Sequence, residues 1–102
     1  MTFRVELDAK RQTETVLVAF DFTSFLNLGE TVSTQVTTSS VWSGTDSSPA
    51  AMISGASSNA SGVISQLITG GLAGVLYLLS CTITTSLGQT LVGSAYMAVK
   101  AS

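Results

Sequence analysis

The stretch AGVLYLLSCTITTSLGQTLVGSAYMAV, Ala73 to Val99, contains no charged side chain and is long enough to cross a bilayer as one helix. Written as an extended chain, it places Val75, Tyr77, Leu79, Cys81 and Ile83 on one face. The opposite face begins with Leu76 and Leu78 and turns polar at Ser80, Thr82 and Thr84. Ser86-Leu87-Gly88-Gln89 has turn chemistry. Beyond it a second run sets Leu91, Gly93, Ala95, Met97 and Val99 against Val92, Ser94, Tyr96 and Ala98. Two alternating runs around a Gly-containing turn predict a β-hairpin. A membrane helix would have to run from about Leu67 to Ile83, with Gly70, Gly71 and Gly74 inside it. No Lys or Arg flanks either end to orient it. The stretch is read as two strands, and no membrane span is expected.

Working upstream, Gly70-Gly71-Leu72-Ala73-Gly74 reads as a tight turn, since it lacks the Lys-Ser/Thr ending of a phosphate-binding loop. VISQLIT, Val63 to Thr69, is a further strand, and TVSTQVTTSSVW predicts another from about Glu30 to Trp42. TVLVAFDF, Thr15 to Phe22, predicts a strand buried on most of both faces. TSFLNLGE then suits a turn that tucks Phe25 and Leu28 under the sheet. Ser43 to Gly62 has loop composition, with room for one short strand at Ala51 to Ser54. A loop of that length either carries partner contacts or is a tolerated insertion.

The N-terminal MTFRVELDAKRQTE alternates Phe3, Val5, Leu7 and Ala9 with Arg4, Glu6, Asp8 and Lys10, the period of a half-buried strand. Six of the ten charged residues fall in these first fourteen. The expected organisation is residues 1–14 as a ribbon or arm, or as the first strand of the domain, followed by one β-domain over residues 15–102. Phe3, Val5 and Leu7 are candidate partner-binding residues, because an alternating ribbon can add to a neighbour's sheet.

The chemical inventory is short. Among 102 residues, only 10% are charged and there is no histidine. Ser-His-Asp, Cys-His and His-ligated metal sites are therefore excluded. The single cysteine, Cys81, has no internal disulfide partner and lies among apolar neighbours, where it reads as a small core residue. A net charge of −2 provides no footprint for nucleic acid. No catalytic residue, cofactor or metal is expected.

Six or seven short strands with no useful helix predict an all-β, antiparallel, immunoglobulin-like β-sandwich. Its final hairpin should be central, and its core should include Phe20, Tyr77, Leu79, Cys81 and Met97. Tyr77 and Trp42 are expected as large core aromatics. The run GGLAGVLYLLSCTITTSLGQTLVGSAYMAV, with its Gly-turn, its Tyr77 and its turn over Thr84 to Thr90, resembles the closing hairpin of small immunoglobulin-like domains of bacteriophage virions. FDFTSFL at residues 20–26, GETVS at residues 29–33 and the VWSGTDSSPAAMISG segment are similar to pieces of the same proteins, described as fiber-tail adaptors. That resemblance implies a non-enzymatic virion protein that joins tail or neck to fiber, with other virion proteins as partners. Capsid decoration is one alternative. Another is a module for host-surface carbohydrate, for which Trp42 beside Asp46 is the candidate site. So few charges leave strand edges unguarded, and a multi-copy symmetric assembly is expected.

Overall fold

The hairpin is the centre of the larger of two sheets. The computed structural model describes residues 2–6 and 9–101, and Leu7 lies outside the described residues. Among these the chain forms β1 (Thr2–Glu6), β2 (Lys10–Arg11), β3 (Thr15–Asp21), β4 (Val32–Ser43), β5 (Ile53–Ala60), β6 (Val63–Thr69), β7 (Leu76–Thr85) and β8 (Thr90–Lys100). β7 and β8 pair antiparallel from Leu76 opposite Ala98 to Thr84 opposite Thr90. β4 lies antiparallel on the other side of β7. The second sheet is ordered β3-β6-β5. These orders reproduce the two strand sets of an immunoglobulin-type sandwich.

The exception to antiparallel pairing is the N-terminus. β1 runs parallel to β8, from Thr2 opposite Val92 to Glu6 opposite Tyr96, and β2 continues with Lys10 opposite Val99. The reason is directional: the chain passes along β8 in the same sense before it crosses to the other sheet. The crossing turn is held by Gln12 N–H donating to Lys100 O (3.0 Å) and Arg11 N–H donating to the Glu14 carboxylate (2.7 Å).

Between the sheets, Tyr77, Leu79, Cys81 and Ile83 face Phe20, Ile64 and Ile68, all of them buried. Each large side chain so placed contributes roughly 1.5–3 kcal/mol of burial. The five expected core residues, Phe20, Tyr77, Leu79, Cys81 and Met97, are all inside.

Several other expectations are corrected. Trp42 is not a core residue, being 53% exposed. Val41 registers with Tyr77 and takes the inward position, so Trp42, one residue on, points outward. β3 is buried on one face only, with Leu17 and Ala19 exposed. Leu28 lies fully exposed at the tip of the turn closed by Glu30 N–H to Asn27 O (2.9 Å), while Phe25 does pack against the core. The segment from Ser43 to Gly62 contains a strand of eight residues rather than a short one. Its low β-propensity is outweighed by pairing with β6, to which it is joined by the two-residue turn Ser61-Gly62, with φ 52° and 96°.

Candidate partner-binding site

Period two along β4, β7 and β8 builds an outer sheet face from Val36, Thr38, Ser40 and Trp42, from Leu76, Leu78, Ser80 and Thr82, and from Val92, Ser94 and Tyr96. Leu78 registers with Tyr96 on one side and Ser40 on the other. The rings of Trp42 and Tyr96 meet edge to face, with centroids 5.1 Å apart and planes at 62°. Such a pair is favoured by the quadrupoles of the two rings. Below it, the Ser80 and Ser94 hydroxyls lie 3.3 Å apart, within hydrogen-bond reach. β4 and β7 contain no charged residue. The face therefore offers aromatic rings, aliphatic groups and hydroxyls, which suits protein docking better than ion binding.

Asp46, expected near Trp42, is turned to a different task. One carboxylate oxygen accepts a 2.7 Å hydrogen bond from the Tyr77 hydroxyl, and the other accepts Ser48 N–H at 2.9 Å. These bonds hold its carboxyl below the usual range, the Ser48 bond more than the Tyr77 bond. The Tyr77 oxygen in turn accepts Leu72 N–H at 2.8 Å. Burial, and then Asp46, push the Tyr77 hydroxyl up. A tyrosine at the start of this strand bonded to backbone a few residues upstream is a recurrent corner of immunoglobulin-type sandwiches. With both oxygens engaged by Ser48 and Tyr77, Asp46 serves the fold.

The same end of the sandwich holds Lys10, 1% exposed, whose ammonium donates to Gly70 O (2.6 Å) and Arg11 O (2.7 Å). Burial lowers its pKa, and Glu14 opposes that shift. At the opposite end, the buried Glu30 carboxylate accepts from Asn27 N–H (2.8 Å), the Thr85 hydroxyl and the Gln89 side-chain amide (2.9 Å). It ties the β3–β4 connection to the β7–β8 turn. Sequence reading placed Lys10 on the charged side of the ribbon and gave Glu30 no role; neither position carries a mark of its burial. Tyr96 was legible only as an outward position of β8; its pairing with Trp42 crosses β7 and depends on register.

Among the ribbon residues, Phe3 registers with Gly93 and Val5 with Ala95. Cys81 is fully buried, and burial pushes its thiol up to about 11, with the Thr37 hydroxyl opposing the shift. Among the described residues, no group of His, Cys, Asp or Glu is arranged to hold a metal, and no helix is long and apolar enough to cross a membrane.

A family model described as Podophage GP4 fiber-tail adaptor protein gp77 matches residues 10–98. No curated protein and no solved structure matches the chain.

Proposed function

This chain belongs to the family of the podophage GP4 fiber-tail adaptor protein gp77, as a structural adaptor in the virion, and on that premise we propose that it joins tail or neck to fiber by protein contacts alone. The observation that carries the reading is the Trp42–Tyr96 pair on a sheet face whose strands β4 and β7 have no charged residue. Aromatic anchors in such a setting are the residues that dominate protein interfaces. A non-enzymatic role is supported by the absence of histidine and by the buried, high-pKa state of the only thiol. The net charge of −2 favours protein over nucleic acid as partner. Multiple symmetric copies fit a chain whose strand edges are so poorly guarded by charge.

The N-terminal residues Phe3, Val5 and Leu7 form the second contact in this reading. β1 is the edge strand beside β8, so the segment would meet a partner at the rim of the same sheet. Capsid decoration remains the alternative location for the same surfaces.

Trp42 is the only tryptophan, so its emission reports docking directly. Binding to the partner should shift that emission to the blue, and Trp42→Ala should leave a folded protein that fails to enter particles. Normal incorporation of Trp42→Ala would remove the aromatic face from the joint.

A further inference from the structure

Among the described residues, the backbone of β4 forms a ladder on one side only. Its twelve residues, VSTQVTTSSVWS, pair with β7. Among the described residues, no backbone hydrogen bond outside that ladder reaches residues 32–41. Pro49–Met52 and β5 lie alongside β4, and it is the N–H and C=O groups over residues 33–37, beside a groove, that are offered to a further strand. Edge strands are normally guarded by Lys, Pro or an inward charge, and β4 has none of these. Its irregularities sit at the ends, between Val32 and Thr34 and between Val41 and Ser43, which leaves the run from Thr34 to Val41 in regular register. Bulges at the ends limit how much strand can be added; a regular centre permits it.

Beside this edge runs a groove of about 500 Å³, bounded by Ser33 to Thr37 on β4 and by Ile53 and Gly55 to Ser57 on β5. Its floor includes Gln66, whose amide is already spent on Ser54 O (3.0 Å) and Gly55 O (3.1 Å), holding the β5 bulge in place. Gln35 reaches across to Ser57 O (3.3 Å), so β4 and β5 are tied at this spacing. Five residues of extended β4 offer about 17 Å of edge at roughly 3.3 Å per residue. The lining carries no charge of either sign.

We infer that the free edge of β4 accepts an extended, uncharged segment of a neighbouring virion protein, which becomes the next strand of the larger sheet. Main-chain bonds to β4 would supply affinity, and alternate side chains of the guest would lie over Ile53 on one face and beside Val36 on the other. The neutral lining selects an uncharged guest, because a buried charge there would find no counterion. A single strand fits this geometry better than a second copy, which would bring its own β5 layer against the same gap. The inference rests on the adaptor reading and adds to it a binding mode at the edge of β4, which borders the aromatic face through Val36.

The test is amide hydrogen exchange on the isolated protein and on intact particles, for the wild type and for Ala56→Arg. Ala56 is exposed and lines the groove from β5, so its replacement obstructs the groove without touching β4 or the Trp42 face. Outward amides between Ser33 and Thr37 should exchange on the order of tenfold more slowly in particles than in the isolated protein. Ala56→Arg should melt like the wild type and lose incorporation. Equal exchange in both states, or normal incorporation of Ala56→Arg, would overturn the inference. Protection already present in the isolated protein and rising with its concentration would overturn it in favour of self-pairing. Trp42→Ala, tested in parallel, keeps the two ideas apart: its loss of incorporation beside a normal Ala56→Arg leaves the adaptor reading standing and the added strand refuted.

Discussion

At the scale of single residues, the fold depends on a few buried groups whose loss has a defined cost. Leu79 is fully buried at the centre of β7, and Leu79→Ala is expected to cost about 2–5 kcal/mol in chemical denaturation. Tyr77→Phe keeps the ring but strands Leu72 N–H and one Asp46 oxygen, for an expected loss of about 1–3 kcal/mol. Gly71 combines a φ of 94° with tight surroundings, where an added Cβ would lie 2.8 Å from Val99 Cγ2. Gly71→Ala is disfavoured both by backbone conformation and by contact. Glu30 determines a response to pH. Its carboxyl is held below the ordinary range, first by Asn27 N–H and then by Thr85. The stabilisation is therefore complete above the ordinary carboxylate pKa and is lost as pH falls through the lowered folded value. Melting temperature measured from neutral to acid pH should fall over that window, and Glu30→Gln should flatten the fall.

At the scale of elements, legibility in the sequence followed the clarity of alternation. β7 and β8 were readable because each carries an unbroken apolar face at period two, and their faces are those the structure shows. β6 was readable as a strand but not by face, since its inward positions include the polar Gln66. β5 was not readable, since ISGASSNA has neither alternation nor strand propensity. Its conformation is imposed from outside by the β6 ladder, the Ser61-Gly62 turn and the Gln66 amide across the bulge. This predicts that Gln66→Leu, which deletes three carbonyl partners but preserves burial, loosens β5 selectively. Amides of residues 53–60 should exchange faster in that variant, while those of β7 and β8 stay slow. Of the candidate site, Trp42 and Asp46 were both singled out, but not where their side chains lie. Trp42 went outside because Val41 took the inward position. Asp46 went to the fold because Tyr77 needed an acceptor. Neither placement is visible without the register between β4 and β7.

At the scale of the molecule, the first ten residues are the segment whose role can be separated from the rest. β1 adds an edge to β8, whose antiparallel ladder with β7 is formed on its other side. Lys10 differs from the residues before it, because its buried ammonium bridges the N-terminal segment to Gly70 beside the Tyr77 corner. Two truncations should therefore behave differently. Removing residues 1–8 exposes one edge of β8 and leaves Lys10 in place, and the remaining domain should unfold cooperatively at a moderately lower temperature. Removing residues 1–10 also deletes the ammonium, leaving the Gly70 carbonyl without that donor, and should lower the melting temperature further. If Phe3, Val5 and Leu7 anchor the adaptor, both truncations should fail to enter particles although the first remains folded. Three large apolar side chains at roughly 1.5–3 kcal/mol each are enough to decide attachment. Calorimetry and particle incorporation, measured on both truncations, separate these effects. Non-cooperative melting of the shorter deletion would make β1 an integral part of the core, and normal incorporation would confine attachment to the surfaces of β4, β7 and β8.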